Sequence, residues 1–406
     1  MRKFVFSIIF LLLLLASGCL VEGILPSGSA SLNPNFTQHI NAFGVNLLKV
    51  LWEEREENLF ISPASIELAL SMAASGARGT TQSEMLQSLE FPSFSMEEVN
   101  QQNANLVKML NHTGSKVTLN VANSLWAREG VPFYENYLQT VQQFYQAEAR
   151  LVDFADPQTV NLINQWVSEK THGKITRIID RLSDLDVLVL LNAIYFKGKW
   201  KYTFDAENTQ LLPFYTAQGE SRDLPTMWQE GSFDYFENQT LQAIRLLYAD
   251  ERFSMYIFLP RAQEGLSDLL EGLNAGLLEN WIQSMEKREG EIYLPRFKLS
   301  FERSLNTTLQ ELGMERAFDP QNADFGGMLP IPPNAFLSEV KHKSILEVNE
   351  EGTTAAAVTS VVIGITALPP EERFLMRVDH PFLLAIRDEE SGLFLFLGVV
   401  ENPEML

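Results

Sequence analysis

Residues 352–370 read GTTAAAVTSVVIGITALPP, nineteen positions without a charge. In the chain as a whole 20% of residues are charged, with 52 Asp and Glu against 31 Lys and Arg. Three readings compete for such a ribbon: a membrane span, a permanently buried strand, or a loop kept apolar for a purpose. As a span it is barely long enough, because a helix needs about 20 apolar residues to cross a bilayer. It is also rich in Thr, and the acidic pairs Glu350-Glu351 and Glu371-Glu372 stand where basic or aromatic anchors would be expected. As a permanently buried strand it is too long, since strands usually run about 3–10 residues.

The third reading fits both flanks. Glu350-Glu351-Gly352 makes a solvated, flexible entry, and Pro369-Pro370 makes a rigid exit that cannot continue a strand. Between them the alternate residues Thr353, Ala355, Ala357, Thr359, Val361, Ile363 and Ile365 are all small or β-branched. Inserted into a sheet at about 3.3 Å per residue, this face would span roughly 45 Å. Each backbone N–H and C=O would then gain a partner. The segment is strand-capable but begins as a loop.

Upstream, Phe36, Ile40, Phe43, Leu47 and Leu51 recur at helical spacing. Ser62 is placed to cap a second helix with Pro63 in its first turn, and that helix is apolar almost all round up to Gly76, which predicts burial. Thr81-x-x-Glu84 and Ser95-x-x-Glu98 read as capping boxes opening two short helices. From Val117 the period changes to two, predicting a half-buried strand, and Asp186–Phe196 is a continuous apolar run suited to a strand buried on both faces. Further strands are expected at Phe253–Leu259, Glu291–Phe301, Phe336–Val348, Phe374–Ile386 and Leu393–Val400, with helices at Thr159–Thr171, Gly265–Leu278 and Ser304–Leu312. Helices come mainly first and strands later, which makes an α+β chain with large sheets.

The 406 residues allow several average domains or one large one, and no internal linker divides the chain after residue 35. A hydrophobic fraction of 46% supports an extensive core. The net charge of −21 repels phosphate backbones and anionic headgroups, which argues against nucleic acid as a partner. Met1-Arg2-Lys3, the apolar run Phe4–Leu15 and the small residues Ala16-Ser17-Gly18 have the layout of a secretory signal peptide. Small residues ending at Cys19, the sole cysteine, look like a bacterial lipobox. The expected division is a signal peptide over 1–18, a flexible tether over 19–35 that starts at a lipidated Cys19, and one domain over 36–406. That places the protein outside the cytoplasm, anchored by its lipid to a prokaryotic membrane, or secreted if the lipobox is unused.

Catalytic equipment is missing. The five His residues form no HExxH or HxxxH pair, so no metal site is expected, and there is no Gly-x-Ser-x-Gly elbow or Gly-rich phosphate loop. The chain is not expected to be an enzyme.

Several motifs, in order, resemble those of the serpins. Asn58-Leu-Phe-Ile-Ser-Pro-Ala-Ser-Ile66 is similar to the family's helix entry and Asn192-Ala-Ile-Tyr-Phe-Lys-Gly-Lys-Trp200 to its strand motif. Leu294-Pro-Arg-Phe-Lys298, Glu350–Ala357, Asp379-His-Pro-Phe382, Phe396-Leu-Gly398 and Asn402-Pro403 complete the set. The resemblance runs from about residue 36 to the end. It implies three β-sheets, about nine helices and an exposed reactive-centre loop near the C-terminus. It also implies a suicide-substrate inhibitor: a serine protease attacks the loop, and the cleaved loop enters the central sheet and traps the acyl-enzyme. Glu350, Gly352, Thr353 and Ala355-Ala356-Ala357 match the hinge of inhibitory members; the alternative is a non-inhibitory carrier or chaperone of the same fold. The family's spacing places the cleaved bond at Thr366-Ala367, with Ile365 and Leu368 still open as the cleaved position. With no Lys, Arg or aromatic residue between Gly352 and Pro370, the expected partner is an elastase-like or subtilisin-like protease with a small or aliphatic primary pocket. Ser62, Ser65, Asn192 and His342 match the family's shutter, and Trp200 its breach. Residues 95–111 carry one Lys and two Glu, so heparin-type activation is not supported, no cofactor is expected, and a monomer is.

Overall fold

The computed structural model describes residues 31–55, 58–111, 116–130, 132–330, 335–352 and 373–406. Nine α-helices lie among them: α1 (Pro34–Glu53), α2 (Pro63–Gly76), α3 (Gly79–Ser88), α4 (Met96–Asn111), α5 (Glu135–Thr140), α6 (Gln158–Lys170), α7 (Leu266–Glu271), α8 (Ala275–Gln283) and α9 (Asn306–Glu311). The strands are β1 (Leu59–Ile61), β2 (Val117–Arg128), β3 (Glu148–Val152), β4 (Leu188–Gly198), β5 (Gln210–Tyr215), β6 (Ser221–Glu237) and β7 (Leu241–Leu247). They continue with β8 (Phe253–Pro260), β9 (Glu286–Pro295), β10 (Phe297–Ser304), β11 (Leu337–Val348), β12 (Phe374–Arg377), β13 (Phe382–Asp388) and β14 (Leu393–Val400).

Five strands form a central sheet in the order β10-β11-β4-β2-β3. The other nine form one hydrogen-bonded network that runs through the long β6. The first part of β6 pairs with β5 and β9, and its last residues pair with β7. One side of the network is therefore β5, β6, β9 and β12, and the other is β7, β8, β13, β14 and β1. With the central sheet this gives an α+β architecture of several sheets and, among the described residues, nine α-helices.

The continuous apolar run of β4 is explained by two cores. Leu188, Leu190, Ile194 and Phe196 join the main core, while Val189, Leu191, Ala193 and Tyr195 join a second one. That second core lies under α6, where Ile163, Trp166 and Val167 meet Trp126 of β2. The helix α2 is buried along almost its whole length, as its apolar surface predicts, and its Ser62 cap accepts from the Ser65 N–H.

Four expectations need correcting. Glu291–Phe301 is two strands in different sheets: Pro295 ends β9, and Arg296 turns to donate its N–H to the Pro225 carbonyl at 2.7 Å before β10 begins. Phe374–Ile386 is likewise β12 and β13, separated at Val378–Pro381. Gly265–Leu278 is two short helices, broken around Gly272. Thr81 does not cap a helix, because α3 starts at Gly79 and the Thr81 hydroxyl instead accepts from Asp324 N–H at 3.0 Å. The Ser95–Glu98 box does form: Glu98 accepts from Ser95 N–H at 2.8 Å and Ser95 Oγ accepts from Glu98 N–H at 3.3 Å. It opens a longer helix than expected, the 16-residue α4.

Candidate functional site

The site is the seam between β11 and β4. These neighbours are parallel, paired from Leu337↔Leu188 to Ile345↔Tyr195. There the ladder ends, and the last three residues of each strand pair only outward, Phe196–Gly198 with β2 and Leu346–Val348 with β10. The two strands thus part towards the point where the chain leaves β11 for the uncharged segment.

A tight turn marks that exit. Asn349 N–H donates to the Gly352 carbonyl at 2.9 Å, and Gly352 N–H to the Asn349 carbonyl at 3.2 Å. The turn bends the chain back beside the end of β4, where Gly352 forms an antiparallel bridge with Lys199. Only glycine suits the position: its φ is +125°, and a Cβ there would lie 2.2 Å from the Gly198 carbonyl oxygen.

Trp200 closes the mouth beneath the turn. Its indole N–H donates to the Asn349 carbonyl at 2.9 Å, its backbone N–H to the Glu351 carbonyl at 3.0 Å, and its ring stacks on Tyr248 with centroids 4.7 Å apart. Glu350, expected at a solvated entry, is instead buried there. Its carboxylate accepts from Thr209 Oγ1 at 2.7 Å and faces Arg296 at 3.6 Å, while its carbonyl accepts from Phe204 N–H at 2.8 Å. Glu351 keeps a buried carboxylate oxygen that has no partner among the described residues.

Further along the seam lies a buried polar cluster. His342 and Asn192 are directly opposite each other across β11 and β4, and Asn123 of β2 is opposite Asn192 on the other side. The Asn192 amide nitrogen donates to the Ser65 carbonyl at 3.0 Å and also contacts the Ser65 hydroxyl and the Asn123 side-chain oxygen. Nε2 of His342 accepts from Ser62 N–H at 3.4 Å, so the ring proton sits on Nδ1 and is donated to the Asn192 side-chain oxygen. Burial pushes the His342 pKa down to about 3, in accord with a neutral ring. Ser344, one turn of the pleat further, donates from its hydroxyl to the Phe60 carbonyl.

The sequence expectations can now be placed. Ser62, Ser65, Asn192 and His342 come together in one cluster, and Trp200, Glu350 and Gly352 meet at the mouth. Thr353, Ala355, Ala356, Ala357, Thr366 and Ala367 lie outside the described residues, as does Cys19.

A family model described as serpin (serine protease inhibitor) matches residues 38–403. The chain is a serpin. A serpin-like protein of Thermococcus kodakarensis is 39% identical over 369 residues, covering 90% of this chain and 85% of that protein. Among solved structures, the thermophilic serpin tengpin in its native state superposes with a TM-score of 0.86 at 30% identity, over 92% of this chain and 95% of that one. Human thyroxine-binding globulin, solved in complex with thyroxine, superposes at 0.83 with 26% identity, over 91% of this chain and 99% of that one.

Several residues of this serpin's site carry no signal in the linear sequence. Asn123, Ser344 and Thr209 are ordinary polar residues until the fold brings them beside Asn192, Phe60 and Glu350. Arg296 stands inside the Leu294–Lys298 motif, but its place beside Glu350 comes only from the fold.

Proposed function

We propose that this serpin inhibits a serine protease as a suicide substrate. The protease serine attacks the Thr366 carbonyl, the Thr366–Ala367 bond breaks, and Ala367 leaves as a free amine while Thr366 stays esterified to the enzyme. The loop from Thr353 onward then enters the seam between β11 and β4 before water can release the ester.

One observation carries this reading: β11 and β4 are parallel, and the Asn349–Gly352 turn sends the chain back the way β11 came. A strand laid between them is antiparallel to both neighbours. Insertion exchanges one slanted parallel ladder for two antiparallel ones, which pair somewhat better per residue. The uncharged, Pro-free stretch between Gly352 and Pro369 can follow that path without burying a charge. The native form is then held by a barrier, so its stability is kinetic.

The small and aliphatic residues around Thr366 fit elastase-like or subtilisin-like enzymes. The N-terminal pattern fits a lipid on Cys19 that holds a monomeric inhibitor at an extracytoplasmic membrane surface. Incubation with a panel of such proteases, followed by denaturing electrophoresis and mass spectrometry, tests the proposal. A covalent complex at the mass of serpin plus protease, with Ala367 as the new N-terminus of the released peptide, supports it. Clean cleavage with no complex and no gain in thermal stability points instead to a non-inhibitory carrier or chaperone.

A further inference from the structure

The helix α2 is apolar nearly all round, yet it carries Glu67 with no exposed surface at all. No Lys, Arg or His is paired with this carboxyl among the described residues. Oε1 accepts twice, from the Ser71 hydroxyl one turn along α2 at 2.6 Å and from the Asn103 amide of α4 at 2.9 Å. Oε2 has no donor, and neither does Oδ1 of Asn103, which is equally buried. Two acceptors are therefore orphaned on a pair of side chains that already touch. Leaving both unsatisfied would be costly, and a buried carboxylate without a cation more so.

A single proton resolves both. We propose that Glu67 is protonated in the native protein and donates from Oε2 to Asn103 Oδ1, so that the seam between α2 and α4 is locked by an acid–amide pair that opens when the proton is lost. The surroundings support this. The ionisable groups facing the cluster are Tyr145, at the end of the π-helical turn Val141–Tyr145, and Tyr137 of α5, whose hydroxyl donates to the Met72 carbonyl of α2 at 3.2 Å. Both are phenols whose pKa burial raises, and neither supplies positive charge. The polar residues of the sheet that meet this end of α2 are Asn192, which donates to the Ser65 carbonyl, and Asn123 beside it, both uncharged. Burial pushes the Glu67 pKa up to about 7.

The lock bears on the site because Ser62 and Ser65, which hold His342 and Asn192, belong to the same end of α2 as Glu67. For a carboxyl whose folded pKa is raised, the folded protein holds the extra proton between the unfolded and folded values. Stability from this group is full at low pH and is lost as pH rises from about 4.5 through about 7.

The test uses the intact protein. Glu67→Gln keeps the shape and mimics the neutral acid. Thermal unfolding midpoint and the rate at which native protein is lost at fixed temperature are followed from pH 5 to pH 9. Wild type should lose its native form up to about tenfold faster at pH 9 than at pH 6, and E67Q should show most of that acceleration removed. Infrared titration of wild-type protein supplies a readout that requires no variant: a protonated-carboxyl C=O band should persist at pH 6 and fade towards pH 9. Absence of that band at pH 6 overturns the proposal, as does an equal pH dependence in wild type and E67Q.

Discussion

His342 and Asn192 face each other in register across the parallel seam of β11 and β4, joined by a hydrogen bond from Nδ1 to the Asn192 side-chain oxygen. On its other side the imidazole accepts from the Ser62 N–H that opens α2. The ring therefore ties the two strands between which insertion is proposed to the helix beneath them. Its geometry requires the neutral form, because a protonated Nε2 could not accept.

This makes the native state acid-sensitive. The folded pKa of His342 is depressed to about 3 from 6.5, so the unfolded chain binds the extra proton in between. Stability from this group is present above 6.5 and is lost as pH falls towards 3. Calorimetry at pH 4 and pH 7 should give a smaller midpoint difference for H342N than for wild type. At neutral pH, H342A should cost about 1–3 kcal/mol through the orphaned Ser62 N–H and Asn192 oxygen.

Thr353 is the first residue past the hinge turn and would be among the first to enter the seam. Thr353→Arg places a charge where insertion requires burial. The expected result is a shift from inhibitor to substrate: cleavage at the same bond, with most of the protease released active and the covalent band on a denaturing gel largely gone.

Gly352 has no room for a side chain. Gly352→Val meets the Gly198 carbonyl and adopts a φ foreign to β-branched residues. Strain at such a position costs about 1–3 kcal/mol before the clash is counted. The variant should show a lower unfolding midpoint and more rapid digestion near the turn in limited proteolysis.

Glu350→Lys removes the acceptor of Thr209 and sets a second cation beside Arg296 in a buried mouth. The Asn349–Gly352 turn should loosen and the seam open more readily. Size-exclusion chromatography after mild heating should show native monomer lost several-fold faster than in wild type, with partial recovery in the Glu350→Lys, Arg296→Glu double variant.

Much of the fold was legible where one physical demand dominates. Ser62 and Pro63 announce a helix start because both settle the unpaired donors of its first turn. The run at β4 reads as buried on both faces because two separate cores need it. Boundaries failed where the demand is set from afar. Nothing in the apolar period of residues 291–301 says that Pro295 ends one sheet and Phe297 starts another. The long β6 and its neighbour β7 went unread because their exposed and buried positions follow three different partners along one strand. In the site, residues with a family motif were legible, but Asn123 acquires meaning only from the register of the sheet. Glu67 was visible as a charge in an apolar helix, yet its partner Asn103 lies 36 residues away.

The parallel pairing of β11 with β4 also decides how such a molecule must be dosed. A strand inserted between them, as proposed, would gain a ladder on each side and be held there. On the proposed mechanism each chain registers one cut and is then spent, with no dissociation to return it to the pool. Protection would then be set by the head-count of intact molecules against the number of proteases that arrive, with resupply left to protein synthesis.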